Sequence, residues 1–260
     1  MDAAIILPAR LKSTRLPNKL LLAGSGKTIL EHTIARAQHA IERGLSARII
    51  VAVDDEKLLV VARRAGAEAV MTDPNHNSGT DRVAEAALAI KEQIIVNLQA
   101  DEPEIDPASI VQVAGLLSQT EKAPMATLAV QLYDEEIWKR PNVVKVVMSS
   151  AGYALNFSRA PVPFMRDPES TRLSENSIWR REDRRVYGLH HIGIYAYRRD
   201  FLLSYKTLPH SDLENLEKLE QLRALEAGYS IKVALAGSNP PGIDTPEDYQ
   251  AFLSRQKKRN

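Results

Sequence analysis

Four cations, Arg10, Lys12, Arg15 and Lys19, fall within ten residues near the start of this 260-residue chain, with no acidic residue among them. They follow an apolar run, Ala3-Ala4-Ile5-Ile6-Leu7, that closes in Pro8-Ala9-Arg10. A short apolar run ended by a proline-containing loop reads as a buried β-strand feeding a connection. Cations gathered at the carboxyl end of a strand suit a ligand with several negative charges, such as a nucleoside triphosphate. A solvated basic loop has the same letters, so the reading depends on what else the chain brings to that edge.

Two carboxylates are the next candidates. Asp101 follows the apolar run Ile94-Ile95-Val96-Asn97-Leu98 in the turn Gln99-Ala100-Asp101-Glu102-Pro103, where Pro103 stops the strand. A carboxylate there can hold Mg²⁺, a hard ion that takes oxygen ligands and keeps waters or phosphate oxygens; it can equally cap the next turn. Asp244 lies in Gly242-Ile243-Asp244-Thr245-Pro246-Glu247-Asp248. Thr245 can serve as N-cap, Pro246 as the first helical residue and Asp248 as the reciprocal acceptor, so Asp244 is left free to coordinate. Both aspartates follow strands, and one sheet edge can bring them together.

Weaker signals surround these. Ser78-Gly79-Thr80-Asp81-Arg82 offers small residues and backbone N–H groups at a helix start, which can line a base or ribose or merely begin a helix. Gly24-Ser25-Gly26-Lys27-Thr28 resembles the end of a Walker A loop, but Leu21 stands where its first glycine is required. His190-His191 cannot share one metal ion easily, because adjacent strand residues face opposite ways. Arg159, in Phe157-Ser158-Arg159, is a candidate anchor for a carboxylate substrate.

The elements that must position these groups alternate in the first half. Apolar β-branched runs at 49–53, 69–71 and 94–98 are separated by helical patterns over 56–65, 81–88 and 107–119. That order predicts a parallel sheet covered by helices on both faces, with ligands at the carboxyl ends of its strands. After about residue 124 the order changes. Strands are expected at 125–132, 143–148, 153–157 and 191–197 without long helices between them, and 160–187 reads as an irregular excursion. A partner-contact or dimer element is placed in 131–200 on this pattern, within one domain spanning 1–260. Leu20-Leu21-Leu22 reads as a short strand. Leu213, Leu216, Leu219, Leu222 and Leu225 predict one helix buried on more than one side.

Composition narrows the field. A hydrophobic share of 44% with 26% charged residues supports a sizeable core and a soluble surface. The net charge of +1 argues against non-specific nucleic-acid binding and makes the local basic cluster more telling. The absence of cysteine excludes disulfides, thiolate nucleophiles and cysteine-ligated zinc. The first residues read as a strand, not a signal peptide, and no run is long enough to span a bilayer, so a cytoplasmic protein is expected.

Seven segments in order resemble one family: Leu7-Pro8-Ala9-Arg10 with Ser13-Thr14-Arg15-Leu16-Pro17 and Lys19, Ser78-Gly79-Thr80, Gln99-Ala100-Asp101-Glu102-Pro103, Phe157-Ser158-Arg159, His191-Ile192-Gly193-Ile194-Tyr195, Leu219-Glu220-Gln221-Leu222-Arg223 and Asp244-Thr245-Pro246-Glu247-Asp248. The family is the 3-deoxy-manno-octulosonate (Kdo) cytidylyltransferases, and the likeness runs from Ile6 to Tyr249. It implies an α/β fold with a Rossmann-like, mostly parallel but mixed nucleotidyltransferase sheet, helices on both faces and a smaller dimerisation element. It also implies a cytoplasmic, Mg²⁺-dependent homodimer that couples CTP to Kdo for lipopolysaccharide synthesis. By position, Leu7, Pro8, Ala9, Arg10, Arg15 and Lys19 would hold the nucleotide, with Ser78, Gly79 and Thr80 around its cytidine. Asp101 and Asp244 would bind Mg²⁺ and, with Arg10 and Lys19, serve catalysis; Gln99, Arg159, His191 and Gln221 would line the sugar-acid pocket. The family usually shows Gly at positions 18 and 100 and Arg at 190, where this chain has Asn18, Ala100 and His190. The last departure opens a Kdo variant with an amino group in place of a hydroxyl. Another CMP-sugar-acid synthetase, or a nucleotide sensor without catalysis, are the competing readings.

Overall fold

Alternating apolar runs and capped helices build the first half. The structure is a computed structural model that describes residues 2–76, 78–167, 177–179 and 184–259. β1 (Ala3–Ala9), α1 (Ile29–Glu42), β2 (Ala47–Val53), α2 (Glu56–Arg64), β3 (Glu68–Met71), α3 (Gly79–Ala87), β4 (Ile94–Asn97) and α4 (Pro107–Ser118) follow one another. Each of these helices starts on a short polar side chain that accepts a backbone N–H: Thr28, Asp55, Ser78 and Asp106. Such caps satisfy donors that the first turn leaves open. Thr28 also forms a reciprocal capping box with Glu31, so the glycine-lysine segment before it is a helix entry and not a phosphate loop. Lys19–Leu21 is a turn of 3₁₀ helix, not the short strand expected there.

The second half comprises β5 (Met125–Leu132), α5 (Glu135–Lys139), β6 (Lys145–Met148), β7 (Ala154–Ser158), β8 (Gly188–Arg198), α6 (Arg199–Ser204), α7 (Asp212–Glu217), α8 (Gln221–Glu226), β9 (Ile231–Leu235) and α9 (Pro246–Arg259). Among the described residues one mixed sheet runs β3-β2-β1-β4-β8-β5-β9, with β6 joined to β7 and β8. β1 pairs parallel with β2 and β4, and β2 parallel with β3, while β8 runs antiparallel to both β4 and β5. Alternate residues of β1 feed two cores. Ile5 and Leu7 pack on the side of α1, α4 and Phe252, and Ala4 and Ile6 pack on the side of α3, α6 and α8. Helices therefore cover both faces, as the pattern of the first half requires.

The leucine row departs from expectation. Lys218 adopts a left-handed conformation (φ 53°) and ends α7, and a separate helix starts at Gln221. The break resets the phase of the row, so Leu213 and Leu216 are exposed, the latter 80%, whereas Leu219 and Leu222 are buried. Residues 168–176 and 180–183 of the expected irregular excursion lie outside the described residues.

Candidate active site

Four separate chain segments meet at the carboxyl edge of the parallel strands, around a cavity of about 330 Å³. β1 supplies Pro8 and then Arg10, and the turn after β4 supplies Gln99 and Asp101. The first turn of α3 supplies Ser78 and Gly79, and the approach to α9 supplies Asp244. Local bonds fix each segment. Leu98 N–H continues the β4 pairing by donating to the Ile6 carbonyl (3.1 Å), and buried Thr33 on α1 donates to the Ala100 carbonyl (2.9 Å). Ile243 N–H then donates to the Asp101 carbonyl (3.1 Å), joining the last segment to the turn. Gly242 permits that approach, since a Cβ there would lie 2.9 Å from Glu102 Oε1. Thr245 and Asp248 form the expected reciprocal cap (2.9 and 3.2 Å), which leaves the Asp244 carboxylate to other partners.

Those partners are cations from the opening loop. Lys19 Nζ donates to the Asp101 carboxylate, to Asp244 Oδ1 (3.0 Å) and to the Ile243 carbonyl (2.9 Å). Arg15 Nη2 stands 3.0 Å from Asp244 Oδ2. Burial alone would lower the Lys19 pKa; its two carboxylate partners outweigh that and leave it raised. Lys19 follows Asn18, whose left-handed backbone (φ 54°) starts the 3₁₀ turn and aims the lysine inward. Asparagine tolerates this conformation better than most residues with a Cβ.

Asp101 and Asp244, 143 positions apart in sequence, thus share one ammonium and can share one cation. No cluster of three or more metal-ligating side chains occurs among the described residues. A pair of carboxylates facing a basic cavity fits an ion that takes its other ligands from water and phosphate, which is how Mg²⁺ commonly binds beside nucleotides.

The remaining expected residues divide. Leu7 and Ala9 are buried in β1, so only their backbone can face a ligand. Ser78 caps α3, and a Cβ added at Gly79 would reach ordinary van der Waals distance of Pro8 (3.5 Å) and Gln99 Oε1 (3.8 Å). Thr80 turns away from the cavity and donates to Glu220 Oε2 (2.7 Å), just before Gln221. Arg159, His191 and Gln221 do not line this cavity. The Arg159 guanidinium donates to the carbonyls of Glu217 (2.6 Å), Pro141 (3.0 Å) and Lys218 (3.3 Å), so part of its donor set is engaged inside the fold. The break at Lys218 exposes carbonyls at the end of α7, and this arginine satisfies them.

His191 is buried, with Nε2 3.0 Å from Thr127 Oγ1 and its ring edge-on to Phe157. Burial, reinforced by His190, lowers its pKa to about 3, so it is neutral near pH 7. His190 reaches Asn239 (3.1 Å), and burial followed by the nearby Lys145 charge lowers its pKa to about 4. Gln221 is buried, and its Nε2 has no hydrogen-bond partner.

Three residues at the site escaped the sequence reading. Glu102 has its pKa pushed up to about 8 by burial and by the charges of Asp101 and Asp244. Arg82, 2% exposed, reaches the cavity from α3. Asp54 follows β2 as Asp101 follows β4, and the same cue, a carboxylate at the carboxyl end of an apolar strand, could have found it.

Comparison with known proteins agrees with this geometry. The family model described as Cytidylyltransferase matches residues 4–232. A 3-deoxy-manno-octulosonate cytidylyltransferase of Rhodopirellula baltica is 44% identical over 259 residues, covering 98% of both chains. Its counterpart from Tolumonas auensis is 45% identical over 96% of this chain and 95% of its own. A solved CMP:2-keto-3-deoxy-manno-octonic acid synthetase complexed with CTP superimposes with a TM-score of 0.89 at 35% identity, over the whole of both chains. With its sheet, its basic cavity and its converging aspartates, this chain belongs to the 3-deoxy-manno-octulosonate cytidylyltransferase family.

Proposed function

We propose that this chain transfers CMP from CTP to the anomeric hydroxyl of Kdo and releases pyrophosphate, supplying an activated sugar acid for lipopolysaccharide synthesis. The observation that carries the reading is the meeting of Asp101 and Asp244 on Lys19 at the floor of a cavity walled by Arg10 and Arg15. In the reaction the anomeric oxygen forms a bond to the α-phosphorus, the bond from that phosphorus to the bridging oxygen breaks, and pyrophosphate leaves. Such chemistry needs mainly positioning and charge neutralisation from the protein. Arg10, Arg15 and Lys19 take up negative charge along the triphosphate, and Lys19 shifts from the carboxylates towards it. Ser78 and Gly79 lie beside the nucleoside in the cavity that Pro8 and Gln99 also line. Asp101 and Asp244 would hold Mg²⁺, which when bound neutralises phosphate charge and lowers the pKa of the attacking hydroxyl.

The sugar-acid subsite is assigned to Gln99, His191 and Gln221, with the unpaired Gln221 amide as its best-supported member. A cytoplasmic homodimer accompanies this reading, because CTP is a cytoplasmic nucleotide. Exposed Leu155 and Phe164 support an intersubunit contact within 131–200 of the single domain. Among the described residues, no helix is long and apolar enough to cross a membrane.

The test is pyrophosphate release on mixing the protein with Mg²⁺, each of the four nucleoside triphosphates and a panel of sugar acids. The panel contains Kdo and an analogue with an amino group in place of a hydroxyl. Release with CTP and one of these two sugars supports the reading. Binding of CTP without release with any sugar overturns it in favour of a nucleotide sensor.

A further inference from the structure

Arg10 stands between two hollows. On one side is the cavity read as the nucleotide site; on the other is a depression of about 700 Å³ bordered by Leu11, Asp54, Asn75 and His76. An arginine side chain with that much room has many rotamers, and ordering it on a ligand costs conformational entropy. Two contacts hold it here. Its Nη2 donates to the His76 carbonyl, and its Nε lies 3.9 Å from Asp54 Oδ2.

Asp54 also holds the backbone of the same loop. Its Oδ1 accepts the Leu11 N–H at 2.9 Å. Arg82 approaches the same oxygen as Arg10: its Nη2 lies 3.6 Å from Asp54 Oδ2 and has no hydrogen-bond partner. Arg82 is anchored through Thr72 Oγ1, which in turn donates to the Val53 carbonyl (2.9 Å). A buried guanidinium of this kind is tolerated only beside a compensating charge. One carboxylate therefore joins β2, α3 and the loop that carries the cations.

We propose that Asp54 is a positioning residue for nucleotide binding, acting through Arg10 and the Leu11 backbone. The proposal rests on the reading of the cavity as the CTP site. Its sign separates it from simple electrostatics. A carboxylate within 4 Å of a triphosphate-binding arginine repels the ligand, so if charge alone mattered its removal would tighten binding. If Asp54 sets geometry, removal weakens binding, because Arg10 is freed towards the outer depression and the loop loses its tether.

Titration calorimetry with CTP and steady-state kinetics test this on the full chain. Asp54→Asn should weaken CTP binding roughly tenfold, the order carried by one charged hydrogen bond, and raise the Michaelis constant for CTP in parallel. The Michaelis constant for the sugar acid should stay unchanged. Asp54→Glu keeps the charge beside Arg82 and serves if Asp54→Asn does not fold; it should also weaken CTP binding. In an Arg10→Ala background the penalty of either variant should shrink. Unchanged or tighter CTP binding in a folded variant overturns the proposal, as does equal loss for both substrates. If the wild-type chain fails to bind CTP, the functional reading itself falls and takes this one with it.

Discussion

The proposed nucleotide side and the proposed sugar side of this molecule deliver their residues in different ways. On the proposed nucleotide side, parallel strands end at one edge, and each end contributes residues: Pro8 near the end of β1 and Arg10 just after it, Asp54 after β2, Gln99 and Asp101 after β4. Placement there is a property of topology, because every parallel strand points its carboxyl end the same way. On the sugar side, β8 runs antiparallel and α7 breaks at Lys218, so chain direction no longer says where a side chain goes. Arg159 and His191 are held there by partners inside the fold. An arginine can thus line the cavity in one half, as Arg10 does, and brace backbone carbonyls in the other, as Arg159 does.

The largest test of that contrast is the aspartate pair. Asp101→Asn or Asp244→Asn keeps the shape and removes a charge from the shared point. Each should lower turnover by at least about a thousandfold, beyond the hundredfold to thousandfold that a single lost stabilising donor usually costs. Folding should persist, since Lys19 keeps its second carboxylate. Near-wild-type turnover in either variant would remove that carboxylate from the chemistry. Mn²⁺ binding followed by electron paramagnetic resonance in the presence of CTP should weaken in both.

Lys19→Ala comes next. It should cost roughly a hundredfold to a thousandfold in turnover, with a much smaller change in the Michaelis constant for CTP, because in the proposed site Arg10 and Arg15 would still hold the triphosphate. A rise in that constant with normal turnover would make Lys19 a binding residue only.

Much of this was legible beforehand, and the reasons differ by residue. That Arg10, Lys19, Asp101 and Asp244 would meet at one edge was readable because Arg10 and Asp101 come just after apolar strands, Lys19 belongs to the basic cluster and Asp244 stands just before a capping signal, and these cues are local. The leucine row was misread because a left-handed Lys218 has no compositional mark; glycine would have announced the break, and lysine conceals it. Thr80 lay within a legible motif, yet its hydroxyl goes to Glu220, 140 positions away, and no local pattern carries that. Arg82 was hidden for the opposite reason: an arginine on a helix reads as surface, and only its pairing with Asp54 explains its burial.

Arg159 sharpens the comparison through stability. Its guanidinium satisfies three backbone carbonyls, so Arg159→Ala should cost about 2–3 kcal/mol. At about 2–4 °C per kcal/mol for a chain approaching this size, the melting temperature should fall by roughly 4–12 °C. The Michaelis constant for the sugar acid should stay close to wild type. A large rise in that constant without loss of melting temperature would restore Arg159 as a substrate anchor.

The histidine pair gives the smallest and most specific effect. Burial holds His191 near a pKa of about 3 and His190 near about 4 in the folded chain, against about 6.5 in the unfolded one. Between those limits the unfolded state binds protons that the folded state refuses, so stability is full above about pH 6.5 and declines as the pH falls. Each histidine contributes a slope of about 1.4 kcal/mol per pH unit within its window. His191→Gln should remove one such slope in denaturant titrations between pH 4 and pH 6. Activity near neutral pH should show no step from either ring, because both are already neutral there. An unchanged slope would mean that His191 is protonated in the folded state, facing an anion in place of Thr127, and the sugar side would then resemble the nucleotide side after all.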